Sequence, residues 1–292
     1  MPLEQRKINV TFQIGEGNFG TSGFNTVTLE NLRCIADLSM AGGGSMGYLK
    51  MRVYGMPRSL MNQLSTMGMK PALVRLNTVI VEAGTAGAMA TVFRGNIVDA
   101  FARYNAQPDV YFDVSAAAGF FDRNTPAAGT SYNGRVDVAN VLRDLAQKMG
   151  IAFNNDAGVS VILDHPHFSN SLGVQVEEAA HQAGVEYEIE NGTLVIWPKG
   201  GVRRTSSVPL ISPETGLVGY PDYSSMGLNL TTIYNPAIVR GGVVEVRSSL
   251  PQANGKWKVW NMVHNLSSEV PGGPWFTNLE VTNFGLGVGL PG

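Results

Sequence analysis

A chain of 292 residues with 35 glycines and 15 prolines is long enough for two or three domains and rich in turns. Only 15% of its residues are charged against 44% hydrophobic, too little charge to keep a large isolated surface soluble, which points to buried interfaces. A net charge of −2 with no Lys/Arg run excludes a protein whose task is to grip the nucleic-acid backbone, and the single cysteine, Cys34, excludes a disulfide framework and cysteine zinc fingers and reads as a small buried hydrophobe.

The N-terminus, MPLEQRKINV, holds no apolar run of signal-peptide length, and no segment approaches the roughly 20 apolar residues that span a bilayer. Synthesis in the cytosol is expected. The first strand, KINVTFQI, runs into QIGEGNFGTSGF, where Gly15, Gly17 and Gly20 spell the G-x-G-x-x-G of phosphate-binding loops. Such a loop needs a helix N-terminus or a covering hairpin with a lysine. Here FNTVTLENL alternates as a strand does, Ser22 stands where kinases have valine, and no lysine lies between Gly20 and Lys50. Asn283-Phe284-Gly285 is a poor substitute for a magnesium-binding Asp-Phe-Gly. The expectation is a loop joining two strands.

Further strands are expected at YLKMRVYG, LVRLNTVIVEAG, ATVFRGNIVDAFARY and DVYFDVS, in the manner of a barrel or sandwich. A short helix, Pro57 to Thr66, interrupts them, and Met61, Met67 and Met69 read as core packing. From about Asn133 the period changes. Asp137 opens a helix whose stripe is Val138, Val141, Leu142, Leu145 and Met149, ended by Gly150. Strands IAFNN and VSVILD follow, then a helix from Gly173 to Ala183 burying Val176, Ala179, Ala180 and Ala183 up to Gly184. Finally, VEYEIE and TLVIW flank the hairpin signal Asn191-Gly192. This small α/β unit resembles the ring-building domains of secretins. After a linker at Pro198-Lys199-Gly200-Gly201, strands return at LNLTTIYN, IVRGGVVEVRSS, KWKVWNMVHNL and WFTNLEVTNF, and the tail is GLGVGLPG. The fold class expected is mainly β with an α+β insertion: two β-barrel domains, residues 1–120 and 203–292, flanking an α/β domain at 121–202. Arg94-Gly-Asn-Ile-Val-Asp-Ala100 and Arg240-Gly-Gly-Val-Val-Glu-Val246 share R-G-x-[IV]-V-[DE]-[AV], as a duplicated barrel would.

Candidate chemistry is sparse. Asp164, His165 and His167 carry metal-binding atoms, but Pro166 makes a turn of them and no third ligand is evident. His181 follows Glu177 and Glu178 at ion-pair spacing, and His264 reads as a hydrogen-bonded structural residue. Glu16 has no second carboxylate to make a glycosidase pair. There is no G-x-S-x-G elbow and no His-Glu-x-x-His. No catalytic, cofactor-binding or metal-binding residue is assigned, and no cofactor is expected.

Tyr234-Asn-Pro236, Arg240-Gly-Gly242, Gly255-Lys-Trp-Lys-Val259, His264 and Gly273-Pro-Trp275-Phe-Thr277 resemble the C-terminal barrel of phage baseplate hub proteins. Asn25-Thr-Val-Thr-Leu29 and Phe93-Arg-Gly-Asn-Ile97 resemble their first barrel. The likeness is to hubs of contractile tails of the Mu and late-control-gene-D type and to the hub part of type VI secretion spikes. It implies a non-enzymatic virion protein at the tail baseplate, made in the host cytoplasm. It further implies a homotrimer in which two barrels per chain match a sixfold tail tube above a threefold spike. The implied partners are the tail tube, central spike, tape-measure and other baseplate proteins, with DNA passing through without specific binding and no insertion into a membrane. A tail-associated peptidoglycan-degrading hub and a secretion-apparatus ring component are the alternatives.

Overall fold

The computed structural model describes residues 5–20, 23–40, 46–66, 77–85, 87–104 and 108–283. Met67, Met69, the start of the strand expected from Leu73, and the tail GLGVGLPG lie outside the described residues. The chain is mainly β.

The N-terminal part contributes β1 (Arg6–Gln13), β2 (Thr26–Leu29), β3 (Cys34–Met40), β4 (Tyr48–Tyr54), α1 (Arg58–Leu64), β5 (Thr78–Thr85), β6 (Ala88–Arg103) and β7 (Tyr111–Ala117). The C-terminal part contributes β15 (Leu210–Ile211), β16 (Leu217–Ser224), β17 (Gly227–Ile233), β18 (Val243–Val246), β19 (Gly255–Ser268) and β20 (Trp275–Thr282). Among the described residues these thirteen strands form one sheet, along the path β16-β17-β20-β19-β3-β4-β7-β6-β5-β1-β2 with β15 and β18 attached beside β19. Period-2 patterning drives it. Ile8, Val10 and Phe12 of β1, Leu49, Met51 and Val53 of β4, and Leu228, Leu230, Leu279 and Val281 of β17 and β20 all enter one buried cluster. Inside it Phe12 and Phe112 meet edge to face, centroids 6.2 Å apart, a favoured aromatic geometry.

The two strand-rich regions are therefore joined by hydrogen bonds. β19 lies antiparallel to β3, with Met262 opposite Met40 and Ser268 opposite Cys34. No ring of strand pairs closes either half among the described residues, so two separate closed barrels are not what the pairing describes. β3 was absent from the expected strands although Cys34, Ala36, Leu38 and Met40 alternate with outward Asp37 and Ser39. Its small and polar residues are weak strand formers, and the pairing with β19 and β4 supplies what propensity lacks. The strand expected at IVRGGVVEVRSS is shortened to β18, because Gly241 takes a φ of +75° and turns the chain ahead of it.

Between the two parts lies a second buried cluster, containing Val138, Leu142, Leu145, Phe168, Val176, Ala179, Leu194 and Ile196. Its helices are α3 (Val138–Lys148) and α4 (Leu172–Ala183), preceded by a single turn, α2 (Phe120–Asn124), that the periodicity did not reveal. Asp137 Oδ1 accepts from the Ala139 N–H at 2.8 Å, and Gly184 caps α4 at φ +61°, as expected of these residue types. β10 (Ala152–Asn154), β13 (Val185–Glu190) and β14 (Thr193–Pro198) form a sheet in which β10 is parallel to β14. The β13–β14 hairpin turns on Asn191 and Gly192, both at positive φ. β8 (Thr130–Ser131) pairs with β12 (His167–Phe168), and β9 (Arg135–Asp137) with β11 (Ile162–Asp164). The strand expected over VSVILD is thus confined to its last three residues.

Candidate functional site

The glycine-rich loop is a hairpin tip. β1 and β2 pair antiparallel, Ile14 N–H donates to Asn25 O at 2.9 Å, and Phe19 N–H to Phe24 O at 2.8 Å. Gly17, Gly20 and Gly23 take positive φ, the conformation glycine permits at little cost. Phe19 is buried in the main core while Glu16 is exposed. Gln63 Nε2 donates to Asn18 O at 2.8 Å, so α1 pins the loop. The glycines shape a turn around the Phe19 anchor.

The histidines are dispersed. Exposed His165, at φ +45°, lies 2.9 Å from the Asp164 carboxylate, and His167 sits exposed on β12. Among the described residues no group of three or more His, Cys, Asp or Glu is placed to hold a metal. His181 is exposed near the end of α4. Glu177 is turned to Arg123 of α2, at 2.6 Å, in place of the expected partner His181. His264 is buried on β19 with Nδ1 2.9 Å from Thr277 Oγ1, its ring edge-on to Tyr234, and burial pushes its pKa down to about 4. It is neutral at ordinary pH. Burial pushes the Cys34 thiol up to about 12, which removes the thiolate a nucleophile needs.

The densest polar constellation is a joint, and it escaped the reading of the sequence. VEYEIE places Glu186, Glu188 and Glu190 at alternate positions of β13, on one face of the strand. Each meets a cation from the C-terminal region. Lys258 Nζ of β19 is 3.1 Å from both Glu186 oxygens, Arg240 Nε is 3.2 Å from Glu188 Oε2, and Arg203 pairs with Glu190. Trp197 Nε1 also donates to Glu186 at 2.8 Å. Arg240 donates to Tyr187 O at 2.8 Å and lies over the Trp197 ring. Burial raises the Glu188 carboxyl above the usual carboxylate range, with Arg240 opposing the shift. A cavity of about 250 Å³ beside this joint is lined by Glu177, His181, Tyr187, Lys199, Arg240 and Trp260. Its Glu177 and Arg240 are already engaged, and the arrangement holds two bodies of chain together. The visible signal was the glutamate alternation; its partners lie too far along the chain to be read.

Among the described residues no helix is long and apolar enough to cross a membrane. No curated protein matches the sequence. In fold, the chain is similar to a tail protein from Neisseria meningitidis MC58 (TM-score 0.64, 12% identity, 94% of this chain and 96% of that one). It is similar also to the 43 kDa tail protein of prophage MuSo2 from Shewanella oneidensis (0.59, 11%, 94% and 96%). A third likeness is to the E. coli c3393 protein, a type VI secretion component described as structurally similar to the T4 tail proteins gp27 and gp5 (0.61, 8%, 94% and 77%). Residues 7–278 match the family described as baseplate hub gp41, and the chain belongs to that family of baseplate hub proteins.

Proposed function

We propose that this chain is the structural hub of a contractile phage tail, a homotrimer that adapts the sixfold tube to the threefold spike and lines the passage for DNA. The observation that carries the reading is the family match across nearly the whole chain. The architecture supports it: the two strand-rich parts act as two tube-like halves, residues 1–120 and 203–292, and the α/β unit at 121–202 braces them. Both copies of the Arg-Gly motif serve that brace. Arg240 grips β13, Arg94 lies beside Gly192 at the hairpin tip, and Asn191 Nδ2 donates to Thr91 O of β6 at 3.3 Å. In this reading one hairpin is clamped by equivalent arginines of the two halves.

The role is mechanical, without a reaction: partners are a second and third copy of the chain, the tube, spike and tape-measure proteins, and DNA in transit. The low charge of the sequence leaves surface free for such interfaces. Native mass measurement of the purified chain, with cryo-EM of assembled tails, tests the reading: a threefold ring at the baseplate centre is expected.

A further inference from the structure

β19 carries tryptophans at 257 and 260, which an unbroken strand would send to opposite faces. The strand is not unbroken. Its register against β20 passes from Val259 opposite Val281 to Asn261 opposite Glu280, so Trp260 is the extra residue of a bulge. A bulge re-aims the side chain it carries. Trp257 donates its indole N–H to Ala253 O at 2.9 Å within the C-terminal part, whereas Trp260 lines the cavity beside the joint. The wall it completes is apolar, with Ala180 and Val185 buried and Tyr187 half-buried. At about 250 Å³ the space falls below the roughly 300–1,000 Å³ of pockets for drug-sized ligands. It holds one large side chain, not a run of chain.

The polar groups around this cavity do not cancel. Both of its carboxylates are engaged within the chain, Glu177 by Arg123 at 2.6 Å and Glu186 by Lys258 and the Trp197 indole. The end of α4 is capped as well, since Gly184 N–H donates to Ala180 O and His181 O, which satisfies carbonyls at the negative end of the helix. What is left over is positive. Buried Arg240 engages Glu188 through Nε and Tyr187 O through Nη2, and its Nη1 makes no hydrogen bond among the described residues. Exposed Lys199 has no ion-pair partner among them. A guanidinium with a spare N–H beside an aromatic wall recognises a carboxylate attached to an apolar body. Because the cavity takes one side chain, the carboxylate and the apolar group belong to the same residue, which in a polypeptide is the C-terminal one. We propose that this cavity is a docking pocket for the C-terminal residue of a partner chain, its aromatic or large aliphatic side chain against Trp260 and Tyr187 and its α-carboxylate on Arg240 and Lys199. The proposal goes beyond the hub role and does not depend on the number of copies in the ring.

The probe is the peptide Gly-Ser-Gly-Ser-Gly-Phe, labelled at its N-terminus and titrated with the full-length chain by fluorescence polarisation. The free acid is expected to bind saturably with a Kd on the order of 100 μM, and the same peptide with a C-terminal amide at least about tenfold more weakly. Lys199→Glu, at an exposed position outside the ion pairs of the joint, is expected to weaken the free acid by about tenfold and to leave the amide unchanged. Trp260→Ala is expected to weaken both. Equal binding of acid and amide, or no saturable binding of the acid up to millimolar protein, overturns the proposal. So does displacement of the peptide by inorganic phosphate as readily as by N-acetylphenylalanine, the behaviour of a plain anion site. If Trp260→Ala does not fold, Lys199→Glu with the acid and amide peptides carries the test by itself. None of these outcomes bears on ring formation, so the hub reading stands or falls separately on native mass and cryo-EM.

Discussion

Arg240 and Glu188 meet at 3.2 Å with both side chains buried, 52 residues apart in sequence. Removing one member leaves the other charge buried without compensation, which costs about 3–5 kcal/mol, whereas replacing both with apolar residues costs far less. Arg240→Met is therefore expected to lower the urea midpoint strongly, and Arg240→Met/Glu188→Leu to recover much of the loss.

The same pair has a pH signature. Glu188 binds its proton more tightly in the fold than in the unfolded chain, so its contribution is present below the unfolded carboxylate pKa and is lost as pH rises through the raised folded value. Without Arg240 the ionised form is harder still to bury. The stability deficit of Arg240→Met is expected to be smaller at pH 5 than at pH 8 in parallel urea titrations, and a deficit that shrinks toward pH 8 contradicts this account of the joint.

His264 works in the opposite sense. Its folded pKa of about 4 lies below the ordinary 6.5, so the unfolded chain takes up the proton first. Stability is fully present above 6.5 and lost as pH falls toward 4, by an amount on the order of 3 kcal/mol. His264→Gln is expected to flatten that part of the stability–pH curve, as read by thermal unfolding between pH 4 and pH 7.

The opening loop separates packing from chemistry. Phe19→Ala empties part of the core and is expected to cost about 3–5 kcal/mol, while Glu16→Gln changes neither stability nor tail assembly. A nucleotide affinity abolished by Glu16→Gln would speak for a phosphate site instead of a turn.

The repeated Arg-Gly is explained by two different crowdings. A Cβ at Gly95 would come 2.7 Å from the Phe93 ring and 2.8 Å from the Ala117 backbone, and one at Gly241 would come 2.8 Å from the Trp197 ring at a φ of +75°. Gly95→Ala and Gly241→Ala are each expected to destabilise by about 2 kcal/mol or more, measured by urea denaturation. Gly17→Ala, at positive φ but with open space around it, is expected to cost about 1 kcal/mol.

Elements with local signals were legible in the sequence. Asp137, Gly184 and Asn191-Gly192 mark caps and a turn that depend on neighbours a few residues away, so α3, α4 and the β13–β14 hairpin fall where the pattern puts them. β16 was not legible because its alternation is broken: Gly219 takes a positive φ and the register with β17 shifts between Val218 and Asp222. The β19–β3 seam was hidden for another reason, since Asn265 and Asp37 are brought together across 228 positions. Of the joint, the glutamates were visible as a pattern, whereas Lys258, Arg240 and Arg203 become their partners only through the tertiary fold.

The central claim is that this chain forms the hub ring of a contractile tail. Cryo-EM of assembled tails, with the chain's density identified by its α/β unit, tests it most directly. The account predicts three copies in a ring between tube and spike. A chain absent from the baseplate centre, or present there in a single copy, would contradict it.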